Sequence, residues 1–313
     1  MTCLIATSVV RGSNQGESHG GIYLINTETE ERLKPVDWNN VDIDWSGRGW
    51  DRGLRGIEFH DDKIYIAASD EIFVFDQGFQ MLASYRNAYL KHCHEMSIHG
   101  GHLFMASTGY DSILGLNLEK ECFDWGMHVA TDGMAFEPRR FDPLSDKGPL
   151  QVNKLHLNNV FCNTGGMYVS GLRSRALLRY TGKNLGVVTT LPDGSHNARP
   201  FRDGILFNDS NADTLRYESP DTRKGWRVPR FADHKLTNTD MDDSRLARQG
   251  FGRGLCVISE DKIAAGSSPS TVTLYDLEER RPLKIINLSL DVRNAIHGLE
   301  VWPYAWPQDP ARL

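Results

Sequence analysis

Short apolar runs occur in pairs along the chain, and a few polar or turn-forming residues separate the two members of each pair. The runs are rich in β-branched and aromatic residues and are bounded by Gly, Asn, Asp or Ser, which is typical of β-hairpins. Five such pairs are present, at residues 63–68 with 72–76, 102–107 with 112–117, 166–170 with 176–180, 204–208 with 214–217, and 262–266 with 272–276.

A further strand-like segment precedes each hairpin, and another follows most of them. The preceding segments are residues 56–59, 95–98, 157–161, 198–201 and 255–258. The following segments include residues 81–85, 186–190 and 283–287. Four strands per repeat are typical of the blade of a β-propeller.

The two ends of the chain supply a sixth blade. Residues 296–301 resemble a first strand that lacks its hairpin, and residues 4–8, 21–26 and 32–36 provide the three missing strands. Pairing the two ends closes a ring and leaves no free sheet edge between the first and last blades. The sequence therefore predicts an all-β, six-bladed β-propeller that forms one domain over residues 1–313. A pair of β-sandwiches is the alternative, and the Trp-Asp and Gly-His repeats of WD40 proteins are absent.

Two connections are longer than the others, at about residues 126–152 and 230–251. Each joins the fourth strand of one repeat to the first strand of the next. We therefore expect both to emerge on the face of the propeller where the first strands begin. Long insertions on one face of a scaffold either carry binding loops or only cover blade edges.

Composition narrows the class of protein. The 313 residues include 35 Lys and Arg and 41 Asp and Glu, for a formal charge of −6. A mildly acidic chain argues against a partner that is a nucleic acid, and no apolar run reaches the length of a membrane span. The five cysteines include no Cys-x-x-Cys pair, and the first residues read as a strand rather than a signal peptide. These features predict a cytoplasmic protein with reduced thiols.

Stacking the repeats on their second strands aligns one residue near the start of each first strand. In chain order these six ring positions are Arg55, His94, His156, His196, Arg253 and His297. First strands line the central channel of a propeller, so the six side chains are expected to meet around its axis. Only 11 His occur in the chain, and four of them fall on these six positions.

Several imidazoles on rigid strands are typical of a metal site. We predict His94, His156 and His196 as ligands of a divalent metal ion, and His297 as a fourth ligand or an acid–base group. Iron is the first choice of metal, with zinc, manganese, copper or nickel as alternatives. Arg55 and Arg253 flank His297 and are predicted to bind a small anionic substrate, because guanidinium groups pair well with carboxylates and phosphates.

Two other interpretations of the ring remain open: a metal-free ligand site, and histidines that only hydrogen-bond water or backbone. His92 lies two residues before His94 and is a further candidate ligand. Glu58 and Glu300 follow ring positions by three residues, and strict alternation predicts that their side chains face away from the channel.

Three motifs resemble those of an uncharacterised bacterial family of six-bladed β-propellers. They are Lys154-Leu155-His156-Leu157-Asn158-Asn159, Ser195-His196-Asn197-Ala198-Arg199-Pro200 and Gly252-Arg253-Gly254-Leu255, which match His-Leu-Asn, His-x-x-x-Pro and Arg-Gly-Leu elements. The resemblance covers mainly residues 150–300 and implies the fold but little chemistry. The ring is also loosely similar to the four-His iron site of carotenoid oxygenases, which have seven blades. Six-bladed lactonases bind metal through Glu, Asn and Asp, which the His ring does not match.

The sequence thus predicts a metal-dependent enzyme that acts on a small anionic molecule on the propeller axis. An oxygen-dependent oxidoreductase and a lyase or hydrolase both fit imidazole ligation. The alternative is a non-catalytic propeller that binds a small ligand, a peptide or a protein on its top face.

Overall fold

The computed structural model describes residues 2–14, 16–39, 53–240, 248–279 and 281–307. These residues form six antiparallel sheets arranged as a ring, so the prediction of a six-bladed β-propeller is confirmed. Two short 3-10 helices, at Thr108–Tyr110 and Asp233–Lys235, are the helical segments of the described chain. Neither is long enough to cross a membrane.

Blades one to three follow the chain from residue 57. Blade one contains β4 (Ile57–His60), β5 (Lys63–Ala67), β6 (Glu71–Phe75) and β7 (Met81–Arg86). Blade two contains β8 (Cys93–His99), β9 (His102–Ser107), β10 (Ser112–Asn117), β11 (Cys122–Thr131) and β12 (Phe136–Phe141). Blade three contains β13 (Leu157–Asn163), β14 (Gly166–Gly171), β15 (Ala176–Tyr180) and β16 (Leu185–Thr190).

Blades four to six complete the ring. Blade four contains β17 (Ser195–Phe201), β18 (Gly204–Asp209), β19 (Thr214–Glu218) and β20 (Arg223–Arg227). Blade five contains β21 (Gly250–Val257), β22 (Lys262–Ser268), β23 (Thr271–Asp276) and β24 (Pro282–Asn287). Blade six contains β25 (Asn294–Val301), β1 (Cys3–Val10), β2 (Gly21–Asn26) and β3 (Arg32–Asp37).

The ends of the chain close the propeller as predicted. The innermost strand of blade six is C-terminal, and it pairs antiparallel with the N-terminal strand, with Leu4 opposite Val301 and Val10 opposite Asn294. The first strands of all six blades contact one another in cyclic order around the axis. Strands from both termini therefore share one sheet, and that pairing holds the ring shut.

Six apolar clusters hold the blades together, one between each pair of neighbouring sheets. Middle strands such as β2 and β6 are buried along their whole length because both of their faces pack against other blades. This explains why their sequences are continuously apolar rather than alternating. Full burial of one such side chain, for example Leu24, contributes about 1.5–3 kcal/mol.

The first of the two long connections differs from the prediction. Residues 126–141 are largely strand, because β11 and β12 form a hairpin that gives blade two a fifth strand. In the connection at 230–251, residues 241–247 lie outside the described part. Residues 248–251 lead directly into the first strand of blade five and bring Arg248 and Phe251 beside the ring positions.

Candidate functional site

The six ring positions gather at the start of the innermost strands. The ring of His94 has its centroid 5.7 Å from that of His156 and 5.9 Å from that of His297. The Nη1 atom of Arg253 lies 2.8 Å from Nε2 of His297. The charge of Arg253 also acts on His196. Side chains from five blades thus meet around the axis, as the aligned repeats predicted.

Bulges in the first strands aim these side chains. His94 and Glu95 together lie opposite the single residue Ala106, and His297 and Gly298 together lie opposite Thr7. A β-bulge of this kind bends the strand and redirects the side chains beside it. Comparable irregularities interrupt the first strands of blades three, four and five.

The imidazole of His94 is held by its Nδ1 edge. Nδ1 lies 2.8 Å from the carbonyl oxygen of His92 and 2.9 Å from Oγ1 of Thr108. A carbonyl oxygen can only accept, so Nδ1 carries the proton and Nε2 keeps its lone pair. The Thr108 hydroxyl donates to the carbonyl of Leu157 in the next blade, and this bond ties blades two and three together.

His196 repeats this arrangement two blades further on. Its Nδ1 lies 3.0 Å from the carbonyl oxygen of Gly194 and 2.8 Å from Oγ of Ser210. The Ser210 hydroxyl in turn donates to the carbonyl of Gly252 at 2.6 Å. Nε2 of His196 is buried and has no hydrogen-bond partner among the described residues. In the described part of the chain, the lone pair of this atom therefore faces neither a hydrogen-bond donor nor an electrophile.

His156 is held by its own connecting segment. Its Nδ1 lies 3.0 Å from Oδ1 of Asn153, and its backbone has a left-handed φ of 54°. The carboxylate of Asp111 accepts hydrogen bonds from the backbone N–H groups of Lys154 and Leu155, which fixes the segment before the ring position.

Burial is the main reason why the pKa of all four ring histidines lies below the ordinary value. The effect lowers the pKa of His156 to about 4. The guanidinium of Arg253 lowers the pKa of each of the four, and Arg55 acts on three of them. All four imidazoles are therefore neutral near pH 7 and have a lone pair on one nitrogen.

The two arginines differ in their surroundings. Arg55 is fully buried, and its Nη1 donates to the carbonyl of Cys93 at 3.2 Å. Arg253 is half-buried and donates to His297, because a guanidinium has no lone pair with which to accept. His297 therefore uses its Nε2 lone pair on Arg253 in this arrangement. Among the described residues, no group of three or more His, Cys, Asp or Glu side chains is arranged to hold a metal ion.

A second group of polar residues lies further along the channel and corrects one prediction. Glu58, Glu95 and Glu300 line a cavity of about 180 Å³ together with Asn197 and Arg199. The alternation argument for Glu58 and Glu300 was wrong. In blade six the bulge adds one residue between His297 and Glu300, so that these two side chains both lie on the channel side.

The pKa values of these three buried carboxyl groups are raised, although the cation Arg199 lies nearby. Burial and the neighbouring Glu300 raise the pKa of Glu58 to about 8. Burial also raises the pKa of Glu95 to about 8 and that of Glu300 to about 7, although Arg199 opposes both shifts. Asn197 donates to Oε1 of Glu95 at 2.9 Å.

Four residues that hold the ring were missed at the sequence level: Thr108, Asp111, Ser210 and Asp213. Asp213 accepts from the backbone N–H of Phe251 at 3.0 Å, just as Asp111 accepts from the segment before His156. Both pairs have the spacing Ser/Thr-x-x-Asp between the second and third strands of a blade. Comparing the hairpin turns, as well as the strands, would have revealed this repeat.

No protein-family model and no curated protein matches the sequence. Solved structures with a similar fold include a chain of a nidogen–laminin complex, at 12% identity and a TM-score of 0.59, with 96% of this chain and 98% of that chain covered. A protein of unknown function from Bacteroides caccae matches at 12% identity and a TM-score of 0.56, with 97% and 100% covered.

The WD40 repeats of RRP9 match at 15% identity and a TM-score of 0.49, with 75% of this chain covered, and the match spans 63% of that chain. The first two matches show a fold shared with proteins that include an uncharacterised bacterial one.

Proposed function

We propose that the ring binds a divalent metal ion through His94, His156 and His196, and a small anionic molecule beside it through Arg55 and Arg253. One observation carries the proposal. Each of the three imidazoles has its Nδ1 atom next to an oxygen acceptor of its own connecting segment, which leaves Nε2 as a lone-pair donor. Holding one ring nitrogen of a histidine by an oxygen acceptor is characteristic of metal ligands.

The chemistry of the donor set supports this assignment. The three imidazoles are neutral at pH 7 because burial lowers their pKa values, and a neutral imidazole is a ligand that iron, zinc, copper and nickel accept. The buried Nε2 of His196 meets no partner in the described part of the chain, so it needs an electrophile or a donor. A bound divalent ion would supply Lewis-acid polarisation of an oxygen atom or, for iron, oxygen chemistry.

The residues of the chain itself orient the anion and exclude water. The guanidinium of Arg253 is directed by its bond to His297, so His297 acts as a positioning residue for Arg253 rather than as a fourth ligand. Arg55 is fixed by the carbonyl of Cys93. A carboxylate or phosphate bound by both arginines would lie beside the imidazoles in a largely buried site.

A second candidate function is metal-free binding of an anionic, hydroxyl-bearing molecule. It is favoured by the lack of a ready-made metal-binding group among the described side chains and by the two guanidinium groups close to the imidazoles. In that case the Nε2 lone pairs would accept hydrogen bonds from hydroxyl groups of the ligand. The protein would then be a binding propeller rather than a metalloenzyme.

Elemental analysis separates the two functions. We expect the purified protein to contain about one equivalent of a transition metal, and the combined His94→Ala, His156→Ala and His196→Ala variant to contain none. A variant with His60, His99 and His234 changed to Ala is the matched control, because these side chains lie outside the ring.

His156→Ala alone tests the same point with less disturbance, because this side chain is only half-buried. It should reduce metal affinity by at least tenfold. Wild-type protein that takes up no iron, zinc, copper, manganese or nickel in titrations would overturn the metal site. Equal metal contents in the ring variant and the control variant would place the metal elsewhere.

A further inference from the structure

Three arginines surround one aromatic side chain at the edge of the ring. The guanidinium carbon of Arg253 lies 4.4 Å from the ring centroid of Phe251, that of Arg11 at 4.8 Å and that of Arg248 at 5.0 Å. The imidazole of His196 lies 6.0 Å from the same centroid. Phe251 is therefore in contact with both the ring and the group of cations.

The backbone of Phe251 is held in an unfavourable conformation. Its φ is 52°, which is uncommon for a residue with a bulky side chain and costs conformational energy. Asp213 maintains it by accepting from the N–H of Phe251 at 3.0 Å. Asp213 also binds Arg248 at 2.6 Å, so Arg248 is part of the support. Strain that is supported in this way beside a candidate site is typical of a residue with a positioning role.

Arg11 comes from a different part of the chain, the turn after β1. Its guanidinium reaches the edge of the ring, because it lies over Phe251, whose side chain is next to His196. Contact with the face of an aromatic ring stabilises a guanidinium and restricts its orientation. Phe251 therefore contacts both Arg11 and Arg253 beside His196.

We propose that Arg11, positioned with Arg253 by Phe251, gives the ring a preference for ligands that carry two negative charges, such as a phosphate monoester or a dicarboxylate. The inference rests on the anion-binding part of the proposed function, and it adds Arg11 and Phe251 to the site. Two guanidinium forks can bind two oxygen pairs of a phosphate or two separate carboxylates, whereas a single carboxylate occupies only one fork.

Isothermal titration calorimetry of EDTA-treated protein tests this preference without a contribution from metal. The probes are inorganic phosphate and malonate as dianions and acetate as a monoanion. For the wild type we expect binding of at least one dianion at millimolar concentration, at least tenfold tighter than acetate. Arg11→Gln and Phe251→Leu should each weaken dianion binding about tenfold, with less than a twofold change for acetate.

Arg175→Gln is the matched control, because it removes the same charge from an exposed turn of blade three. It should leave the affinities for all three probes unchanged. An adventitious effect of net charge would appear equally in Arg175→Gln and Arg11→Gln, and that result would overturn the proposal. The proposal would also be overturned by a wild type that binds neither phosphate nor malonate, or by one that binds acetate as tightly as it binds phosphate or malonate.

The metal content of the wild-type protein, compared with its dianion preference, distinguishes the failure of this inference from that of the metal site. A wild type that lacks metal but prefers dianions contradicts the metal and retains this inference. A wild type that contains metal but shows no dianion preference contradicts this inference and retains the metal site.

Discussion

Arg253 donates a hydrogen bond to the Nε2 atom of His297 over a distance of 2.8 Å, and this contact joins the innermost strands of blades five and six. The bond requires a neutral imidazole, because a protonated one has no lone pair to accept with. Burial and the Arg253 charge both lower the pKa of His297, which keeps it in that neutral form. The charge state and the geometry of the ring therefore depend on each other.

Replacing Arg253 with Met tests this dependence. The pKa of His297 should rise, because one of the causes that lower it is removed, but it should stay below the ordinary value because burial persists. The buried Nε2 atom also loses its donor, which should cost about 1–3 kcal/mol of folding stability. Proton NMR titration of the imidazole and chemical denaturation measure the two effects. Arg175→Met is the control, and an unchanged His297 pKa in Arg253→Met contradicts the coupling.

Asp111 should position His156 through the backbone. Asp111→Asn removes the negative charge that accepts from Lys154 and Leu155, and it should reduce stability by about 1.5–3 kcal/mol. Asp132→Asn is a matched control, since Asp132 also accepts from two backbone N–H groups but lies in an exposed turn. Urea unfolding of both variants compares the costs. Equal costs would show that Asp111 has no special role at the ring.

The carboxyl groups in the channel should make stability depend on pH. The folded-state pKa values of Glu58 and Glu300, about 8 and about 7, lie above their ordinary value, so the folded protein favours the protonated forms. The contribution of these two groups to stability should therefore be fully present below about pH 4.5. It should be lost as the pH rises towards 8.

Glu58→Gln should flatten the pH dependence between pH 5 and pH 8. At pH 8 the variant should be more stable than the wild type by about 1–2 kcal/mol. This is less than the about 5 kcal/mol that the whole pKa shift of Glu58 corresponds to, because the half-buried side chain is partly screened by solvent. Thermal unfolding at several pH values measures this. Glu137→Gln is the control, because Glu137 is exposed. The prediction is contradicted if, between pH 5 and pH 8, the wild type gains stability relative to Glu58→Gln.

Gly298 should be essential where the two ends of the chain meet. A Cβ atom at this position would lie 2.2 Å from the carbonyl oxygen of Arg55 and 2.6 Å from Oγ1 of Thr7, in the space between blades six and one. Gly298→Ala should therefore destabilise the protein by about 1–3 kcal/mol or more, because backbone atoms cannot move aside easily. Gly186→Ala is the control in thermal unfolding, because a Cβ atom there would meet no atom of the described residues within 4 Å. A Gly298→Ala variant as stable as the control would contradict the tight packing at the closure.

The sequence by itself determined the architecture. The repeated hairpins fixed the number of blades, and the unpaired first strand at residues 294–301 required partners from the N-terminus. The same repeats identified the six ring positions, because equivalent residues of equivalent strands must meet around a closed ring. These inferences hold because strand pairing and blade packing depend on the local pattern of apolar residues, which a sequence displays directly.

Only the tertiary structure decided which side chains face the channel and what each one contacts. A bulge changes the facing of every later residue in its strand, so Glu300 joined the channel although alternation placed it outside. The contacts of Thr108, Arg11 and Phe251 join residues far apart in the chain. Such contacts depend on how neighbouring blades are placed in three dimensions, and the periodicity of a single strand carries no information about that placement.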